Sequence, residues 1–282
     1  MSMGLPVVNK ELAKRLQQAE INFFTSRITS IGERSGNPMG VEIQRFGTAT
    51  AYYIQEMPWA LFNSVKGITD TEKDQLGEIA DFYRARDRHF QIEIDPSESS
   101  PALLGTLASL GLYQHSFQSV LYGLPLAQPA QLPVNIAVTE VVDEVLFDMY
   151  AEVHCLASGM SLDAKGHFIS NNIGLLHREG WKLFLGLWEG QAAAVAAMHI
   201  HEGIASCALA ATLPAFRGRG LQSALLQRRL HEAYKAGCEL VAGQAAYGSV
   251  SQNNMERAEL QIAWTRALWE PYPEKGYALT TV

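Results

Sequence analysis

Apolar residues recur every three or four positions from about 10 to 31, with Leu12, Leu16, Ala19, Ile21, Phe23 and Phe24 on one face, which predicts an amphipathic helix. The period then shortens to two. Residues 41–46 and 48–54 alternate about Gly47 and predict two short strands. Residues 58–68 lead into a second helix, opened by Thr69-Asp70-Thr71-Glu72 in the form of a capping box and carrying Leu76, Ile79, Ala80 and Tyr83. Asn63 before it reads as a turn residue rather than a ligand contact. An alternating strand at 90–94, a helix at 101–110 closed by Gly111 and a strand at 117–122 complete a mixed α/β half.

Pro125, Pro129 and Pro133 recur at intervals of four and oppose both helix and central strand. Residues 125–133 are therefore expected to be a stiff linker between a domain at 1–124 and a second at 134–282.

In the second half, residues 141–157 have helical spacing, with Val145, Met149, Val153 and Leu156 on one side, and a further helix spans about 167–176. Three strands follow at 182–188, 193–201 and 204–212, joined by turns at Glu189-Gly190 and Glu202-Gly203. Another helix carries Leu221, Leu225, Leu226, Leu230, Ala233 and Tyr234 and ends near Gly237, and strands are expected at 239–244 and 262–269. The fold class is mixed α/β, of α+β character.

The stretch with the most chemistry is Leu213-Pro214-Ala215-Phe216-Arg217-Gly218-Arg219-Gly220-Leu221-Gln222-Ser223, between a strand and a helix. The first turn of a helix leaves backbone N–H groups without intrahelical partners, and the helix dipole adds positive charge there, so an anion is favoured. Gly218 and Gly220 allow close approach, while Arg217 and Arg219 add charge. A bare Arg-Gly-Arg-Gly is as often a tight turn capping a helix as a phosphate seat. No Gly-Lys-Ser/Thr follows, so it is not a Walker loop, and the three-glycine spacing of a dinucleotide fold is absent.

At these residues the chain resembles the GNAT superfamily of N-acetyltransferases, whose acyl-CoA signature Gln/Arg-x-x-Gly-x-Gly/Ala is matched by Arg217 to Gln222, with Gln222 in place of the last small residue. Ser251-Gln252-Asn253-Asn254-Met255-Glu256-Arg257-Ala258 and the segment 262–269 are similar to that family's final elements, with Glu259-Leu260 where Gly-Phe is usual. The first half resembles a degenerate GNAT domain through Asn63 to Ile68 and has no such loop. The resemblance implies two GNAT-like domains, each a mixed, mostly antiparallel sheet flanked by helices. It implies acetyl-CoA as co-substrate and no metal. It assigns the pantetheine to Leu209, Ala210, Ala211 and Thr212, the phosphates to Arg217, Gly218, Arg219, Gly220, Leu221, Gln222 and Ser223, and further contacts to Asn254 and Arg257.

For proton transfer the candidates are His199 and His201, which share a strand face by period two, and Tyr247 or Ser251 for the leaving thiolate. None carries a distinctive pattern. The expected activity is acetyl transfer to a primary amine of a small molecule or peptide. A non-catalytic acyl-CoA-binding protein on the same fold is the alternative.

Composition narrows the setting. The 282 residues are 48% hydrophobic and 18% charged, with a net charge of −7 and no basic stripe, which speaks against a nucleic-acid partner. Cys155, Cys207 and Cys238 are odd in number and widely spaced, as expected of reduced core thiols. No signal peptide is apparent at Met1 to Pro6, and no apolar run approaches membrane-spanning length, so a cytoplasmic monomer or homodimer without a membrane partner is expected.

Overall fold

The computed structural model describes residues 4–129 and 131–273; Met1 and the neighbouring residues of the N-terminal reading, Ala130 of the expected linker and the residues after 273 lie outside that range. The chain forms two compact units that do not follow the linear division at 125–133. One comprises residues 1–31 and 119–263, the other 32–118 and 264–282. Strands β5 (Leu112–Gly123) and β11 (Gln261–Pro271) each pass from one unit to the other.

The second unit contains a hairpin of β1 (Val41–Phe46) and β2 (Ala49–Ile54) that turns at Gly47, whose φ of 60° and close approach to the Glu72 carboxylate leave no room for a side chain. Glu72 accepts hydrogen bonds from the backbone N–H groups of Thr48 and Thr69, each 3.0 Å, which confirms the expected capping box. The helix it opens begins as a 3-10 segment, Asp70–Gln75, before α2 (Leu76–Arg84). Asn63 is fully buried and ties the turn before β3 (Ser64–Lys66), accepting from the Ile54 N–H and donating to the carbonyls of Met57 and Trp59.

β3 and β4 (Gln91–Ile94) pair in parallel, and β4 pairs antiparallel with β11 through Ala267↔Ile94 to Trp269↔Ile92. The strand expected at 262–269 within the second domain therefore reaches, from Trp264 onward, into the unit formed by the first half. Buried charge holds it there. Arg266 donates from Nε to Asp95 Oδ1 (2.7 Å) and from Nη1 to Glu93 Oε2 (2.6 Å), Trp264 Nε1 donates to Asp95 Oδ1 (2.6 Å), and Lys66 Nζ meets Glu93 Oε1 (2.5 Å). The polar face of the 90–94 strand, which alternation alone assigns to solvent, is buried in this two-cation, two-carboxylate network.

In the first unit, β6 (Ile136–Glu140), β7 (Trp181–Trp188), β8 (Gln191–His201) and β9 (Ile204–Thr212) form an antiparallel run, and β10 (Leu240–Ala246) joins β9 in parallel. β6, which begins three residues after the proline-rich segment, has no counterpart in the sequence reading. α6 (Leu221–Lys235) covers one face, burying Leu221, Leu225, Leu226, Leu230 and Ala233 against Ala194, Ala196, Met198, Ala205 and Cys207, whereas Tyr234 is exposed. α1 (Lys10–Gly32) joins this unit although it is distant in sequence. Its Phe23 ring lies 5.4 Å from that of Trp181, its Ala19 carbonyl accepts from Ser206 Oγ (3.5 Å), and its Ser26 Oγ accepts from Trp181 Nε1 (3.0 Å).

α4 (Glu144–Ala157) starts where Asp143 caps it, accepting from the Leu146 N–H at 2.8 Å, and α5 (Lys165–Asn172) follows. The buried side of α4 carries Phe147, Tyr150, Ala151, Val153 and Cys155, while Val145, Met149 and Leu156 face solvent, so that of the four apolar residues read on one side Val153 is the buried one. All three cysteines are buried and free, and burial pushes each thiol up from its ordinary value. Among the described residues no helix is long and apolar enough to cross a membrane.

Removing one partner of a buried ion pair strands the other, typically at about 3–5 kcal/mol. Asp95→Ala is therefore expected to destabilise the protein by about 3 kcal/mol or more in urea denaturation, and the apolar pair Asp95→Leu with Arg266→Met to recover most of it. An unshifted midpoint for Asp95→Ala would show that the network does not hold β11.

Candidate acyl-CoA site

β9 is interrupted at its centre. Its pairing with β8 passes from Ala197↔Ala208 directly to Val195↔Ala211, so Leu209 and Ala210 together oppose Ala196, and Leu209 has a φ of 49°. An inserted residue of this kind bends its strand and increases local twist. On the other edge, the parallel register with β10 covers only Ile204–Cys207 against Leu240–Gly243 and ends just before the bulge. Beyond that point β9 continues to Thr212 and β10 to Ala246 without pairing to each other. Leu209, Ala211 and Thr212 are half-buried and Ala210 is exposed, so this stretch presents a peptide edge to an incoming extended chain.

The same end of β9 leads into the glycine loop. A 3-10 turn, Pro214–Phe216, precedes Arg217, and Gly218 and Gly220 have φ values of 75° and 83°. No side chain caps α6. Its first N–H groups are therefore open to an anion, and Gly218, Arg219, Gly220 and Ser223 are exposed beside them, with Leu221 buried beneath.

The larger side chains of the loop serve as braces. Arg217 donates from Nε to the Thr212 carbonyl (3.3 Å) and from Nη2 to the Ala157 carbonyl at the end of α4 (3.4 Å). Arg219 lies over the rings of Trp188 (4.9 Å) and Phe216 (5.3 Å). Gln222, the departure from the signature, donates from Nε2 to the Ala211 carbonyl (2.9 Å) and to Thr212 Oγ1 (2.8 Å). It ties the first turn of α6 to the edge of β9, a contact that an alanine or glycine cannot make.

Because β9 and β10 are parallel, the residues following both strands lie at the same end of the sheet, which is where α/β folds characteristically bind ligands. Tyr247 directly follows β10 and is exposed. α7 (Val250–Arg257) begins next, with Ser249 Oγ accepting from the Gln252 N–H. Ser251 on its first turn is exposed, and Asn254 Oδ1 accepts from Arg257 Nη1 at 3.1 Å. The bulge, the glycine loop, Tyr247 and the first turn of α7 with Ser251 thus lie towards the C-terminal end of these strands, and Asn254 and Arg257 follow further along α7.

His199 and His201 do not. His201 pairs with Ile204 beside the hairpin turn, at the other end of β9 and roughly 17 Å along the strand from Leu209. It is exposed, and its Nε2 is 3.7 Å from Glu202 Oε1. A shallow cavity of about 230 Å³ at that end is lined by His201, Ile204 and residues of α1, away from the bulge. His199 is 5% exposed and packed against the rings of Phe23 and Trp181. Burial, with the neighbouring His201 and Arg178, brings its imidazole down to about 4, and its Nδ1 has no hydrogen-bond partner among the described residues. Also among the described residues, no group of three His, Cys, Asp or Glu is placed to hold a metal ion.

No family model matches the sequence, and no curated protein is significantly similar to it. Solved structures are. A GCN5-related N-acetyltransferase from Kribbella flavida superimposes with a TM-score of 0.67 at 15% identity, over 98% of each chain. The fold is that of the GCN5-related N-acetyltransferases. A second such protein, from Sphaerobacter thermophilus, gives 0.63 at 17% identity over 83% of this chain and 80% of its own. A tandem GNAT protein from the clavulanic acid biosynthesis pathway gives 0.60 at 13% identity over 88% of each. The likeness spans both halves, so the GNAT fold accounts for nearly the whole chain.

The buried imidazoles make a testable signature. His199 and, on α4, His154 are both held at about 4 against an ordinary value of 6.5, by burial first and nearby cations next. The unfolded chain takes up these protons below about 6.5 and the folded chain does not until about 4, so stability should fall as pH drops across that window. His199→Phe is expected to flatten the decline in chemical denaturation between pH 7 and 4.5 by about one proton. An unchanged slope would mean that His199 is protonated in the fold.

Proposed function

We propose that the unit containing β9 and α6 binds acyl-CoA and transfers an acetyl group from acetyl-CoA to a primary amine of a small molecule or peptide. The observation that carries this reading is the parting of β9 from β10 at the Leu209 bulge, directly beside an uncapped helix N-terminus. A pantetheine arm has amide groups spaced to pair with an exposed strand edge, and a pyrophosphate suits the Gly218–Gly220 turn and the first N–H groups of α6. Asn254 and Arg257, further along α7, are proposed as further contacts.

In this reading the thioester carbonyl lies along the bulge, where a backbone N–H of Leu209, Ala210 or Ala211 supplies the donor for the tetrahedral oxyanion. The amine nitrogen forms its bond to the carbonyl carbon, the carbon–sulfur bond breaks, and the thiolate leaves. Positioning supplies much of the rate, since it turns a bimolecular encounter into an intramolecular one. Tyr247 and Ser251 are the hydroxyls proposed to return a proton to sulfur. The amine proton departs to solvent at the open end of the strands, as His199 and His201 are set apart from it.

The absence of a histidine or carboxylate in the named set at the bulge favours one other reading, an acyl-CoA-binding protein that performs no transfer. Gly220→Val places a branched side chain in a left-handed turn 3.6 Å from Ile136 and should weaken acetyl-CoA at least tenfold in calorimetry, with the circular dichroism spectrum retained. Equal affinity would overturn the site. If the site stands, release of free CoA thiol with any member of a primary-amine panel marks the enzyme, and thermal stabilisation by acetyl-CoA without thiol release marks the binder.

A further inference from the structure

α4 and the loop after it carry an apolar stripe that the fold does not use. Val145, Met149 and Leu156 are 73%, 38% and 38% exposed, and Met160 and Leu162, in the segment leading to α5, are exposed as well. Along the helix Val145, Met149 and Leu156 fall on one line, at spacings of four and seven, with Glu152 on the same line between Met149 and Leu156. This is the spacing of a helix-pairing seam, and the opposite side of α4 is already buried through Phe147, Tyr150 and Val153.

The rim of the stripe is acidic. Asp143, Glu144, Asp148, Glu152 and Asp163 are all exposed, against Lys165 as the ammonium among them, which bridges Asp148 (2.7 Å) and Glu152 (3.0 Å). Glu152 stands within the seam itself. An apolar line bordered by carboxylates is complementary to an amphipathic helix with an apolar face and basic flanks. It is poorly matched to a second copy of itself, because both faces would carry the same net negative rim, five carboxylates against the ammonium of Lys165. An anionic lipid surface is repelled for the same reason.

We infer that the outer face of α4 is a docking surface for a basic amphipathic helical segment of a partner protein. The reading is independent of acyl-CoA binding, since none of the stripe residues belongs to the glycine loop or to the bulge.

The test uses the full chain and a fluorescein-labelled peptide of about 18 residues, with leucines at alternating three- and four-residue spacing and lysines on both flanks. Saturable binding is expected by anisotropy, weakening at least tenfold for Val145→Glu with Met149→Glu and several-fold on raising salt from about 50 to 500 mM. Glu144→Gln with Asp163→Asn should weaken binding less and reduce its salt dependence. All these positions are exposed, and an unchanged thermal midpoint verifies that each variant is folded. Equal binding of a twin peptide with glutamates for lysines would overturn the charge argument, and no effect of the Val145/Met149 pair would overturn the surface. A full-chain dimer that dissociates on Met149→Glu would assign the stripe to a second copy instead.

Discussion

The candidate site depends on a single backbone irregularity. Leu209 holds a left-handed conformation that L-residues with branched or bulky side chains adopt at a cost of about 1–3 kcal/mol. The cost is sustained because β8 fixes the register on both sides of it, Ala197↔Ala208 before and Val195↔Ala211 after. Without the extra residue β9 could remain in register with β10 beyond Cys207, and its edge would be consumed by an internal ladder. With it, the C-terminal half of β9 keeps an edge that β10 does not pair. The glycine loop matters because it follows immediately, so a molecule lying along β9 finds the open N–H groups of α6 at its far end.

Once the edge is open, something must hold the loop in place without occupying it. Arg217 and Gln222 do so by reaching the Thr212 and Ala211 carbonyls at the end of β9, and Arg217 also reaches the last turn of α4. Arg219 is flattened on Trp188 and Phe216. Arg217 therefore holds the geometry of the loop, and Gln222 substitutes a pair of hydrogen bonds for the space that a small residue would leave. A side-chain-rich loop thereby presents mostly backbone, which suits an anion recognised by N–H groups.

What was legible in the sequence is what local chemistry determines. The Thr69/Glu72 box, the Asn63 turn, the Leu221 to Ala233 face and the hairpin turns at Gly190 and Gly203 were each specified by residues within a few positions of one another. The bulge was not, because leucine carries no signature for positive φ. The allegiance of α1 and β11 was not, because Phe23 with Trp181 and Arg266 with Asp95 meet across more than half the chain. On α4, apolar residues at 145, 149 and 156 and at 147, 150 and 153 both satisfy helical spacing, and only the packing of Phe147 and Tyr150 decides which line is inside. His199 and His201 show the limit for catalysis, since period two placed them correctly on one face but carried no information on which end of β9 they adjoin.

The two units also divide the work of burial differently. The β9 unit closes its core with small residues, Ala194, Ala196, Ala205 and Ala224 among them, which let α6 lie close to the sheet. The other unit closes the face of β4 and β11 with Arg266, Lys66, Glu93 and Asp95. A buried network of balanced charge contributes little net stability compared with apolar packing, but it penalises mispaired alternatives heavily, because any slip leaves a charge unmatched. That property suits a strand arriving from the far end of the chain. β11 lacks a short turn to fix its register against β4, and Arg266 spanning both Asp95 and Glu93 accepts only one alignment. The last strand is specified by electrostatics where the hairpins are specified by their turns.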